Sequence, residues 1–91
     1  MVGLNDYRDE VNEFLRQVTD EPEPLSQIVN MLDQEMALLK ASFDNRERLS
    51  HQLYDVLFLL FEVAAVHNLN LDSEWTEGRE RKRTKYLNEP A

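Results

Sequence analysis

Two acidic residues, Glu35 and Asp55, occupy positions from which they could share a metal ion. Each falls in a stretch of helical apolar periodicity, and only a short polar turn around Asp44 and Asn45 separates the two stretches. Glu35 lies nine residues before Asp44, and Asp55 lies ten after Asn45. At about 1.5 Å per residue each stands roughly 14 Å from the turn, so in an antiparallel hairpin the two are level. Both also sit one residue before their helix's main apolar stripe, in the lines Ile28, Met31, Glu35, Leu38, Ser42 and Arg48, Gln52, Asp55, Leu59, Glu62. One layer nearer the turn, the matching positions hold Leu38 and Gln52. Two carboxylates at the edge of a helix pair suit a hard divalent cation such as Mg²⁺, especially when a substrate phosphate completes the shell. The same two side chains would also serve as boundary charges, paired with basic residues of a later helix or a second subunit.

Other residue types with chemical potential are fewer. His51 stands four residues before Asp55 and could act as a ligand or general base, although that spacing more often marks a local contact. Five of the ten basic residues, Arg79, Arg81, Lys82, Arg83 and Lys85, fall within seven positions. Such a cluster can meet phosphate groups, and more commonly complements a helix C-terminus or an acidic neighbour. Trp75 and Tyr86 could stack on a base, with packing the commoner use. There is no glycine-rich phosphate loop, no Ser-His-Asp set and no cysteine, which excludes disulfides and thiolate chemistry.

Four helices are expected to position these groups. The stretch organising the chain is 49–71, LSHQLYDVLFLLFEVAAVHNLNL. Leu49, Leu53, Val56, Leu60, Val63 and His67 recur at alternating spacings of four and three, and further apolar residues widen that stripe over most of the circumference. This predicts a central helix over 45–67, with Asp44 and Glu47 as a capping box. Leu25, Val29, Leu32, Met36, Leu39 and Phe43 repeat in the same rhythm and predict a helix over 24–43 with a coiled-coil-like face. The turn between them is so short that the two must be antiparallel neighbours. A first helix is expected over 4–18, followed by the TDEPEP linker, whose prolines interrupt helix. A fourth is expected over 72–86, capped by Asp72 or Ser73 and weakened at Gly78.

The chain of 91 residues is long enough for one all-α domain with a modest core, and so short that a partner subunit is expected to help. A net charge of −8 disfavours binding to nucleic acid or an anionic membrane. The central helix could nearly span a bilayer, but Asp55 and Glu62 within it argue against that. The opening MVGLNDYRDE has no apolar signal segment, so a soluble cytoplasmic protein is expected.

The segment Gln52-Leu53-Tyr54-Asp55-Val56-Leu57-Phe58, continuing through Ala64, His67 and Asn70-Leu71 to Lys85-Tyr86, resembles the MazG-like all-α nucleoside triphosphate pyrophosphohydrolases. The resemblance covers roughly residues 25–87 and is most specific over 52–71. That family's pattern is a Glu-Glu-x-x-Glu stretch on one helix and Glu-x-x-Asp on the next. Here Gln34-Glu35-Met36-Ala37-Leu38 and Gln52-Leu53-Tyr54-Asp55 occupy those places, so two of the five acids remain and the motif is degenerate. The resemblance implies a four-helix MazG-like bundle assembled as a dimer or a dimer of dimers. It also implies Mg²⁺-dependent cleavage of a nucleoside triphosphate to monophosphate and pyrophosphate, with Mn²⁺ as a possible substitute. Carried onto this chain, it makes Glu35 and Asp55 the metal ligands, Gln34 and Gln52 orienting groups for water or phosphate, and Lys82 and Lys85 neighbours of the phosphates. A noncatalytic homologue that binds a nucleotide or a protein is the alternative it allows.

Overall fold

In the computed structural model, which describes residues 2–87, the chain forms four helices: α1 (Leu4–Val18), α2 (Leu25–Lys40), α3 (Arg46–Val66) and α4 (Leu71–Leu87). No strand occurs among the described residues. The expected single domain over 1–91 thus extends past the described residues at both ends. Local signals set the helix ends. Asn45, rather than Asp44, caps α3: its Oδ1 accepts the Arg48 backbone N–H at 3.0 Å. Likewise Asn70, rather than Asp72 or Ser73, caps α4, with Oδ1 accepting the Ser73 N–H at 3.0 Å. Asparagine offers the same kind of side-chain oxygen as aspartate, one residue later than Asp44 at α3 and two residues before Asp72 at α4, and the helices start accordingly. Asn68 adopts the left-handed conformation at φ 51°, which turns the chain out of α3. α2 ends at Lys40, three residues short of the expected Phe43, and 41–44 form a turn. There the Ser42 hydroxyl donates to the Leu38 carbonyl at 2.6 Å and Ser42 is buried.

α3 is the hub. α2 and α1 both pack on it, α1 at Phe58 and Phe61, while α4 packs on α1. Aromatic contacts fix the α1–α3 crossing: Tyr7 meets Phe61 with ring centroids 6.0 Å apart, and Phe14 meets Phe58 edge-on at 5.9 Å. Val11 is buried between these two contacts in the sequence of α1. A polar clasp holds the start of α4 to the start of α1. The Leu4 N–H donates to Asp72 Oδ1 at 2.8 Å, the Leu71 N–H donates to Asn5 Oδ1 at 2.7 Å, and Arg8 Nη1 donates to the Leu69 carbonyl. Gly3 leaves room for this clasp: a Cβ at this position would lie 2.7 Å from Asp72 Oδ1 and would displace that carboxylate.

The buried face of the hairpin differs from the expected one. On α2 the fully buried residue is Ile28, whereas Leu25, Val29 and Met36 of the main stripe are exposed, as is Phe43 (70% exposed) in the turn that follows. On α3 Val56 and Leu59 are buried, but Leu53 and Leu60 are about half exposed. The line one residue before the α2 stripe therefore faces α3. The longer apolar stripes are only partly covered, because one short chain has no further element to lay on them. The radius of gyration is 15.6 Å, against about 12 Å for a compact domain of this length. The accessible surface of 7341 Å² likewise exceeds the roughly 5,500 Å² expected for this mass. By length and composition α3 is long and apolar enough to cross a membrane, but Asp55 and Glu62 would be costly in hydrocarbon.

Candidate functional site

The α2–α3 hairpin brings Glu35 and Gln52 into direct contact. The Gln52 side-chain amide donates to Glu35 Oε2 in a short hydrogen bond, and to the Glu35 backbone carbonyl at 3.2 Å. Both residues are partly buried. One amide thus holds the carboxylate and the helix that bears it. The layer of Glu35 is therefore shared with Gln52, which was expected beside Leu38. The earlier end of α2 explains this. Counted from Lys40 and Arg46, Glu35 lies about 8 Å and Gln52 about 9 Å along their helices, while Asp55 lies about 14 Å along α3. Asp55 stands roughly one turn beyond the Glu35 layer. It is exposed, and it has no hydrogen bond or ion pair to another described residue.

The remaining residues implied by the resemblance lie elsewhere. Gln34 is exposed on α2, and Leu38 is 51% exposed. His51 is exposed and makes no hydrogen bond or ion pair with a described residue. Lys82 and Lys85 lie on α4, where their Nζ atoms sit 5.9 and 5.2 Å from the Tyr86 ring centroid. Since α4 packs chiefly on α1, one chain does not bring these lysines to the Glu35–Gln52 contact. Arg81 pairs with Glu74 within α4. A broad open groove of about 850 Å³ runs along α4, with Trp75, Gly78, Lys82 and Tyr86 in its lining.

No group of three or more His, Asp or Glu side chains placed to hold a metal occurs among the described residues. Glu35 and Asp55 are therefore, at most, a two-carboxylate set. Such a set fits Mg²⁺ when water and substrate phosphates supply the other ligands, since this ion keeps several waters and uses one or two protein carboxylates.

The most buried acid among the described residues is Glu62, which the sequence offers as a substitute for the ligand missing at Leu38, and Glu23 stands near it. Glu62 on α3 is only 3% exposed, and burial together with the Glu23 charge raises its pKa above the usual carboxylate range. Its place in the line Gln52, Asp55, Leu59, Glu62 was legible, but Glu23 belongs to the linker, and its approach to α3 had no periodic signal. No protein-family model matches the sequence, and no curated protein or solved structure is significantly similar to the chain.

Proposed function

We propose that this chain is a MazG-like nucleotide pyrophosphohydrolase with a reduced metal site, acting on a nucleoside triphosphate in the cytoplasm. The observation that carries the reading is the Glu35 carboxylate fixed by Gln52 on the inner edge of the α2–α3 pair, one turn from Asp55. The motif resemblance over 52–71 supports the same place. Glu35 and Asp55 would hold Mg²⁺, or Mn²⁺ in its stead. When bound, the ion would neutralise phosphate charge and polarise the scissile anhydride. Gln52 restricts the Glu35 carboxylate to one orientation, and this preorganisation keeps the acid from turning away before substrate arrives. Its amide acts from behind the ligand, as outer-shell partners of metal sites do. Gln34, exposed on the same helix, is available to water or phosphate.

Lys82 and Lys85 could serve a phosphate at this site only from the α4 of a second copy. The reading therefore includes a homo-oligomer, a dimer or a dimer of dimers. The half-exposed stripes of Val29 and Met36 on α2 and of Leu53, Leu57 and Leu60 on α3 support such an assembly. A second reading, a noncatalytic nucleotide- or protein-binding homologue, draws on the absence of a third acid beside Glu35 and Asp55 among the described residues.

Pyrophosphate release from a panel of ribo- and deoxyribonucleoside triphosphates, with Mg²⁺ or Mn²⁺, separates the two readings. Turnover is expected from the native chain and from neither Glu35→Ala nor Asp55→Ala, with helicity and oligomer size unchanged. Gln52→Ala is expected to retain activity lowered about 10–100-fold. A folded native protein that turns over none of the nucleotides rules out the enzyme and leaves the binding module.

A further inference from the structure

Thr19 to Pro24 does more than connect α1 to α2. The Thr19 hydroxyl oxygen accepts the Glu21 N–H at 3.2 Å and folds the segment into a tight turn. That turn, the last part of α1 and the C-terminal part of α3 enclose a cavity of about 310 Å³, with Glu23 and Glu62 in its wall. Glu23 Oε2 is fully buried and has no hydrogen-bond partner among the described residues. Glu62 is buried, with 3% exposure, and it takes part in no hydrogen bond or ion pair with a described residue. Two unbonded carboxyls in one cavity wall, one on a buried residue and the other with a buried oxygen, are costly as two anions. A counter-charge or a proton relieves that cost.

A proton, a nearby guanidinium or a bound cation could do so. Arg16 also lines the cavity, but it is exposed and forms an ion pair with neither acid. Asp20 and Glu21 are exposed residues of the same wall, and Arg16 is the one basic residue among those lining the cavity. The chamber holds roughly ten water volumes, enough for an ion with a water shell. Burial, and after it the Glu23 charge, raises the pKa of Glu62, so a cation placed between the two acids would favour its ionised form.

We propose that Glu23 and Glu62 bind a hard, largely hydrated divalent cation of the Mg²⁺ class, pinning the α1–α2 linker to α3 at a structural site separate from Glu35 and Asp55. Two carboxylates completed by water match the habit of Mg²⁺, whereas Ca²⁺ seeks six to eight oxygens. Glu62 lies seven residues beyond Asp55, about 10 Å along α3, so one ion cannot serve both places.

The test uses the full chain carrying Glu35→Ala and Asp55→Ala, which silences the other candidate site and makes the result independent of nucleotide turnover. Mn²⁺ binding is read from the loss of the free-ion electron paramagnetic resonance signal, and thermal unfolding is followed with Mg²⁺ or with EDTA. The double variant is expected to bind about one Mn²⁺ and to melt higher in Mg²⁺ than in EDTA. Adding Glu62→Gln should abolish both effects while raising the melting temperature in EDTA, and Glu23→Gln should do the same if the first change impairs folding. No Mn²⁺ binding by the double variant, or binding unaffected by either glutamine, overturns the proposal. So does an Mg²⁺-independent melting temperature that falls with Arg16→Gln, which would identify Arg16 as the counter-charge.

Discussion

Glu62 sits on α3 with a carboxyl that burial, and secondarily Glu23, pushes above the usual glutamate value of about 4.3. The folded state therefore holds this proton more tightly than the unfolded chain. Stability from this group is fully present below the unfolded pKa and is lost as pH rises through the higher folded pKa. In EDTA, the native melting temperature is expected to carry a downward component as pH rises from about 4.3, and Glu62→Gln should remove it. Parallel melting profiles of the two proteins would show that the group is not perturbed. Glu35 presents the opposite arrangement. Its carboxylate receives the Gln52 amide, so it is partnered where Glu62 is not.

At the scale of elements, α3 persists because two other helices lie on it, whereas α4 depends on a few contacts at one end. No residue of α4 is buried and its apolar residues form no stripe, so amphipathic packing does little to hold it. The clasp of Asp72, Asn5 and Arg8 joins its first turn to α1. Asp72→Ala removes the acceptor for the Leu4 N–H and should cost about 1 kcal/mol. Hydrogen exchange is expected to accelerate along α4 and in the first turn of α1, while protection of the α2–α3 pair stays unchanged. Uniform acceleration through all four helices would mean that α4 unfolds only with the whole domain. Ending α2 three residues early moved the layer of Glu35 from Asp55 to Gln52, since each residue shifts the register by about 1.5 Å.

Taken whole, the chain measures 46 × 34 × 28 Å and is more open than its length requires. Val29, Met36, Leu53, Leu57 and Leu60 are each between 37% and 49% exposed, which leaves much of the hairpin's apolar surface uncovered. The proposed homo-oligomer would cover it. Light scattering after size exclusion is expected to give at least a dimer for the native protein and a monomer for Leu53→Asp with Leu57→Asp. A native monomer at concentrations of tens of micromolar would remove the assembly, and with it the route for Lys82 and Lys85 to a neighbouring site.

The sequence by itself determined the number, order and approximate extent of the helices. Periodicity, prolines and capping side chains act over a few residues, so 4–18 was legible to the residue and the tight α2–α3 turn required an antiparallel pair. It also located Glu35, Gln52 and Asp55 on neighbouring elements. Which apolar stripe would be buried was not legible, because Leu25 through Phe43 and Ile28 through Ser42 both offer an apolar line and only the docking of α3 chooses between them. The Gln52–Glu35 bond and the Glu23–Glu62 cavity were likewise decided by tertiary structure. Each joins residues far apart in the chain, and their meeting depends on helix ends, crossing directions and a linker turn that no local pattern specifies.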